Sequence, residues 1–203
     1  MNHLPKVIVF DAFGTLVKIK TGRSPYRKLM RWLKENGRAP QPDDAKFIMS
    51  NNVNIKQLTE LFGYIIPLPL WSEIEDDLRD DLQTIELYED TISTLQNLKN
   101  RGYKLALCSN LARYYGEQLK KLIPDLFDLI VLSYEVGHIK PEQQIYAMIE
   151  THFKCDMKEM LFIGDHPVLD VEKPISLGMN ARIINRHQEQ NLLDVLGDLI
   201  TRQ

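Results

Sequence analysis

Four charged side chains stand far apart in the chain and have the makings of one site: Asp11, Lys140, Asp165 and Asp170. If they meet, three carboxylates face a single cation in partly desolvated surroundings, and such a cluster needs a metal ion among its oxygens. Thr15, Ser109 and Asn110 add hydroxyl and amide groups able to hold an anion. Each also has a commonplace reading by itself. Asp11 could simply end a strand in a turn. Ser109-Asn110 could cap a helix, and Lys140-Pro141 could be a solvated loop before a proline-initiated helix. Asp165 and Asp170 could be a cap and a first-turn acid favoured by the helix dipole. Their common placement by the surrounding elements is what sets them apart.

Those elements are legible as short apolar runs. "VIVF" (7–10) delivers Asp11, and "KLALCSN" (104–110), "DLIVLS" (128–133), "MLFIGD" (160–165) and "NARIIN" (180–185) follow. None alternates cleanly, as expected of strands buried on both faces. Helix-period segments near 90–101, 111–121, 142–153 and 168–177 lie between them. Repeated strand–helix–strand units predict an α/β fold, a doubly wound parallel sheet with right-handed crossovers. Ligands of such sheets bind outside the carboxyl ends of the strands, where the winding reverses. Asp11, Ser109-Asn110, Lys140 and Asp165 each follow a predicted strand, so four loops converge on one crevice.

Residues 17–88 break the rhythm. They hold several helical patterns, such as "SPYRKLMRWLKENG" and "LWSEIEDDLRDDL", no convincing strand, and turns marked by Pro40, Pro42, Pro67 and Pro69. The expected organisation is a core formed by 1–16 and 89–203, with 17–88 as an all-helical domain inserted after the first strand.

The chain has 203 residues, 44% hydrophobic and 26% charged, enough to bury a full core. A net charge of −3 gives no general attraction to nucleic acid or to anionic lipid. The first apolar run is too short for a signal segment or a membrane span. Cys108 and Cys155 lack metal-knuckle spacing. A cytoplasmic protein, monomer or homodimer, is the expectation.

In order, "FDAFGTL", "LCSN", "IKPEQQIY" and "GDHPVLD" resemble motifs I to IV of the haloacid dehalogenase-like (HAD) hydrolase superfamily. The resemblance covers essentially the whole chain. It implies Asp11 as nucleophile, Lys140 as its charge partner, Thr15, Ser109 and Asn110 as substrate-binding groups, and 17–88 as a C1-type cap, a lid whose closed pocket suits a small-molecule substrate. It also implies a metal held by Asp11, Asp165, Asp170 and the backbone carbonyl of Phe13. Oxygen ligands and a phosphoryl substrate point to Mg2+.

The motifs pull in two directions. Phosphatases of the family carry a second aspartate two positions after the nucleophile, which protonates the leaving oxygen and later activates water. Here Phe13 stands in that place and can do neither. An aromatic residue there, with Lys140 followed by Tyr146, is similar to the 2-haloacid dehalogenase branch, which needs no metal. Asp165 argues the other way, because an added carboxylate would repel the substrate carboxylate of a haloacid. The favoured reading is a Mg2+-dependent phosphohydrolase without the usual general acid, selective for leaving groups that need no proton. A metal-independent dehalogenase and a catalytically slow binding or regulatory protein of the same fold stand as alternatives.

His138 and His166 are candidates to replace the acid, and Arg23, Arg27, Arg31 and Arg38 to bind a substrate carboxylate in the dehalogenase reading. Met157, Met160 and Met179 read as core, and the acidic run 73–81 as a solvated helix face.

Overall fold

The computed structural model describes residues 4–201. Its centre is a sheet of five parallel strands. The first, β1 (Val7–Phe10), leads to the short β2 (Val17–Ile19), and four helices follow: α1 (Pro25–Glu35), α2 (Asp44–Ser50), α3 (Ile55–Leu61) and α4 (Leu68–Gln83). The chain returns through β3 (Ile85–Leu87), α5 (Thr91–Asn100), β4 (Lys104–Ser109), α6 (Arg113–Leu122), β5 (Leu129–Leu132), α7 (Ser133–Val136) and α8 (Gln143–Phe153). It closes with β6 (Met160–Gly164), a wide π-type turn over Pro167–Glu172, α9 (Lys173–Ser176), β7 (Asn180–Ile183) and α10 (Leu192–Ile200).

The strand order is β5-β4-β1-β6-β7. The chain winds outward from β1 through β4 to β5, then crosses back to β6 and β7, so the winding reverses at β1. Asp11, the residue after β1, therefore sits at the switch point. The unalternated apolar runs are explained by two cores, one on each face of the sheet. Ile8, Phe10, Leu105, Leu107, Leu161 and Ile163 point to one; Val7, Val9, Ala106, Cys108, Met160 and Phe162 point to the other. Met160 and Met179 are buried in the second core and Met157 packs against it, as expected.

Between β2 and β3, helices α1–α4 gather a core of their own from Leu29, Leu33, Ile55, Leu58, Ile74 and Leu78. The stretch 17–88 is not strand-free, however: β2 and β3 pair antiparallel as a two-stranded stalk, Val17 opposite Leu87 and Ile19 opposite Ile85. Strands of three residues are too short to show a period, and their partners lie far apart in the chain. The acidic run is also only partly solvated. Asp81 is buried at the end of α4, where it accepts hydrogen bonds from the Arg23 and Ser24 amides (2.8 and 3.3 Å) and from the Tyr115 hydroxyl (2.8 Å).

The predicted helix over 168–177 is the π-type turn followed by the single turn α9. Pro174 has no N–H to return to the carbonyl of Asp170, which breaks the regular i to i−4 ladder there. No helix among the described residues is long and apolar enough to cross a membrane.

Candidate active site

The loop after β1 is a tight turn. The Asp11 amide bonds the Ile163 carbonyl of β6 (2.9 Å), while the Gly14 and Thr15 amides close the turn onto Val17 and Ala12 (2.9 and 3.3 Å). Gly14 has φ of 76°, a region that disfavours any side chain. Space forbids one as well, since a Cβ there would stand 2.2 Å from Oδ2 of Asp165. The same device recurs at Gly164, where a Cβ would stand 2.3 Å from Cγ of Asp170. Two glycines thus let two carboxylates lie directly on backbone.

Asp11, Asp165 and Asp170 each bring a carboxylate oxygen within 4.8 Å of the others. Asp11 and Asp170 are buried; Asp165 is exposed toward the crevice although its carboxylate lies over Gly14. The Lys140 ammonium, also buried, donates to Oδ1 of Asp11 (2.7 Å) and Oδ1 of Asp170 (2.6 Å). Asp170 accepts the His166 amide with its second oxygen (3.0 Å).

Burial pushes the Asp11 carboxyl up to about 6, against the pull of Lys140 and with a further push from Asp170. Desolvation and the neighbouring Asp170 charge hold the Asp165 carboxyl above its ordinary range. Burial works to lower the lysine, but the charges of Asp11 and Asp170 outweigh it and keep Lys140 ionised. With three carboxylates and one ammonium, the cluster is short of positive charge and presents hard oxygen donors, which is what a divalent cation requires. The only buried side-chain polar atom without a partner among the described residues is Oγ1 of Thr15.

Ser109 is buried as the last residue of β4. Asn110 is joined to the Lys140 backbone: its side-chain carbonyl accepts from the Lys140 amide (2.7 Å) and its NH2 donates to the Lys140 carbonyl (2.8 Å). Phe13 is half-buried, its ring edge-on to Tyr115 with centroids 6.3 Å apart. Tyr146 is fully buried and donates to the Leu169 carbonyl (2.6 Å), propping the turn that carries Asp170. His166 caps that same turn, its Nδ1 accepting from the amides of Val168 and Leu169 (3.2 and 3.3 Å). His138 pairs with Glu142 (3.1 Å). Of the arginines considered, Arg38 is engaged by Asp44 and Arg23 by Asp80, while Arg27 and Arg31 are exposed on α1.

Sequence reasoning missed Arg186. Its guanidinium, nearly buried beyond β7, donates from Nε and Nη2 to the Thr15 carbonyl (3.1 and 2.6 Å). It pairs with both oxygens of Asp90 (2.8 and 3.0 Å) and lies over the Tyr88 ring at 4.1 Å. The rule that located the other residues, a polar side chain just past the carboxyl end of a strand, would have found it at the fifth strand.

The profile of the haloacid dehalogenase-like hydrolases matches residues 5–173. A glyceraldehyde 3-phosphate phosphatase of Methanothermobacter thermautotrophicus is 32% identical over 118 residues, 53% of this chain and 52% of that protein. A pyrophosphatase PpaX of Bacillus cereus is 31% identical over 99 residues, 47% of this chain and 44% of that protein. The chain thus spans about half the length of the curated relatives it matches. A HAD family enzyme from Bacteroides thetaiotaomicron, solved in complex with magnesium and inorganic phosphate, shares the fold with a TM-score of 0.65 at 18% identity, covering 88% of this chain and 93% of that one. With the four motifs gathered on one edge of a parallel sheet and the profile running through all of them, the chain belongs to the haloacid dehalogenase-like hydrolase family.

Proposed function

We propose that the protein is a Mg2+-dependent phosphohydrolase acting on a small phosphorylated molecule, with Asp11 as nucleophile. The observation that carries this reading is the approach of the Asp165 carboxylate to Asp11 and Asp170 over a glycine that leaves room for it. A dehalogenase has no use for that third charge. The phosphatase relatives and the fold shared with a magnesium and phosphate complex support the same choice.

Asp11, Asp165 and the Phe13 carbonyl would hold the ion, with Asp170, already bonded to Lys140 and the His166 amide, bracing the site. Bound there, Mg2+ neutralises carboxylate and phosphoryl charge and so favours the ionised form of Asp11. The Asp11 carboxylate then attacks phosphorus, the bond to the leaving oxygen breaks, and an aspartyl-phosphate forms that water later hydrolyses. Lys140 neutralises charge beside the attacking oxygen. Asn110 holds the Lys140 backbone in place, and Thr15 and Ser109 offer hydroxyls to the phosphoryl oxygens. Helices α1–α4 form the lid over the crevice, resting on the stalk of β2 and β3.

Phe13 neither gives a proton to the leaving group nor takes one from water. Acyl and aryl phosphates, whose leaving groups depart as stable anions, are the preferred substrates. General acid help is worth roughly 10²–10⁴-fold, and alkyl monoesters forgo it.

The test is phosphate release from acetyl phosphate with and without Mg2+, in the wild type and in Asp11→Asn. Metal-dependent release that vanishes in the variant is the expected result. Halide release from a 2-halopropionate without metal would select the dehalogenase, the alternative that Phe13 favours.

A further inference from the structure

A cavity of about 420 Å³ opens beside the carboxylate cluster, between the stalk and the loop after β7. Phe13, Gly14 and Asp165 form its catalytic side; Ile19, Tyr88 and Ile183 are among the residues of its far walls. On the opposite flank of the site the helical insertion is fastened to the core. The Ser133 hydroxyl donates to the Met49 carbonyl (2.6 Å), Lys46 pairs with Glu142, and Tyr115 bonds Asp81. The cavity is thus the space beside the cluster on the β7 side, and its volume is within the roughly 300–1,000 Å³ of small-molecule sites.

Its chemistry is mostly apolar. The basic side chains that reach it are engaged elsewhere: Lys18 pairs with Glu86 (3.2 Å) and lies near the Tyr88 ring (5.4 Å), and Arg186 is held by Asp90 and Thr15. His187, exposed at the rim, adds another ring. Phe13 connects cavity and chemistry: it lines the cavity and stands two residues after Asp11, where the resemblance puts the group that serves the leaving oxygen.

We propose that this cavity receives the leaving group of the substrate, and that the leaving group is a flat, uncharged aromatic ring system, making the substrate an aryl phosphate. The proposal rests on the phosphohydrolase reading and narrows it. Two independent features agree on the class: a phenolate leaves without the proton that Phe13 cannot give, and apolar walls reward a ring over a sugar or a second anion.

The experiment compares kcat/KM for 1-naphthyl phosphate, acetyl phosphate and glycerol 3-phosphate with Mg2+, in the wild type and in Ile183→Trp, which fills the cavity from an exposed edge. Binding of 1-naphthol to the metal-free protein, followed by NMR, gives a readout that needs no turnover. The wild type should bind 1-naphthol and prefer the naphthyl ester. Ile183→Trp should weaken the naphthol complex and lower the naphthyl-to-acetyl ratio of kcat/KM by about tenfold or more. Ile183→Glu, which charges the same wall without filling it, should act in the same direction and serves if the tryptophan variant does not fold. Hydrolysis of acetyl phosphate with no preference for the naphthyl ester, or a ratio unmoved by both variants, overturns this proposal and leaves the phosphohydrolase standing. Failure to hydrolyse any of the three esters removes both readings.

Discussion

The guanidinium of Arg186 donates two hydrogen bonds to the main-chain carbonyl of Thr15, 171 residues away, while Asp90 grips its other edge. This ties the loop after β1, which carries Asp11, to the end of the last strand and to the start of α5. Replacing Arg186 with Met leaves the partly buried Asp90 carboxylate without its cation, keeping only the Leu192 amide, for an expected loss of about 2–4 kcal/mol in stability. Arg186→Lys keeps the charge but lacks the planar fork. For both variants kcat should fall by about tenfold or more, with a smaller change in KM, because Asp11, the proposed nucleophile, is misplaced while the substrate contacts persist. Denaturant melts and steady-state kinetics at low temperature separate the two effects. An unchanged kcat in a well-folded lysine variant would mean that Arg186 only supports the fold.

Phe13 sets the second expectation. In the proposed phosphohydrolase no base at that position activates water, so hydrolysis of an aspartyl-phosphate would be the slow step, and rapid mixing with acetyl phosphate should show a burst approaching one acetate released per protein molecule. Phe13→Asp restores an acid and base at that position and should raise turnover of alkyl monoesters by up to about 10²-fold. Linear product formation from the first turnover would contradict this account of the position.

Tyr115 links α6 to the helical insertion through its bond to Asp81. Tyr115→Phe removes one hydrogen bond from a buried carboxylate that still keeps two backbone amides. The expected cost is about 1–2 kcal/mol. Hydrogen exchange should quicken at the amides of Arg23 and Ser24, and KM should respond more than kcat if these helices move as a lid. Equal exchange in variant and wild type would show that Tyr115 does not hold the insertion closed.

The raised carboxyls of Asp11 and Asp165 give a signed pH effect. Between the ordinary range near 4 and about 6, the metal-free folded protein binds more protons than the unfolded chain, so its stability should fall as pH rises through that window. Mg2+ needs these groups ionised, so its binding near pH 5.5 should expel up to about one proton per ion, and almost none at pH 8. Calorimetry in buffers of different ionisation enthalpy measures the release. In Asp11→Asn most of it should disappear.

By itself the sequence determined the sheet and the edge on which the chemistry lies. Apolar runs without alternation mean strands covered on both faces, and parallel strands present all their carboxyl ends on one side. Asp11, Lys140 and Asp165 could therefore be brought together from motif order alone. Only the tertiary structure decided the finer roles: Asn110 holds the Lys140 backbone, Asp81 is an anchor inside an acidic run, and Tyr146 and Arg186 brace loops of the site. The stalk between residues 17–19 and 85–87 was likewise invisible. The physical reason is the same in each case. Periodicity and propensity are local, whereas a hydrogen-bond partner tens to hundreds of residues away is chosen by packing, which brings a donor to a carbonyl or carboxylate that burial has cut off from water.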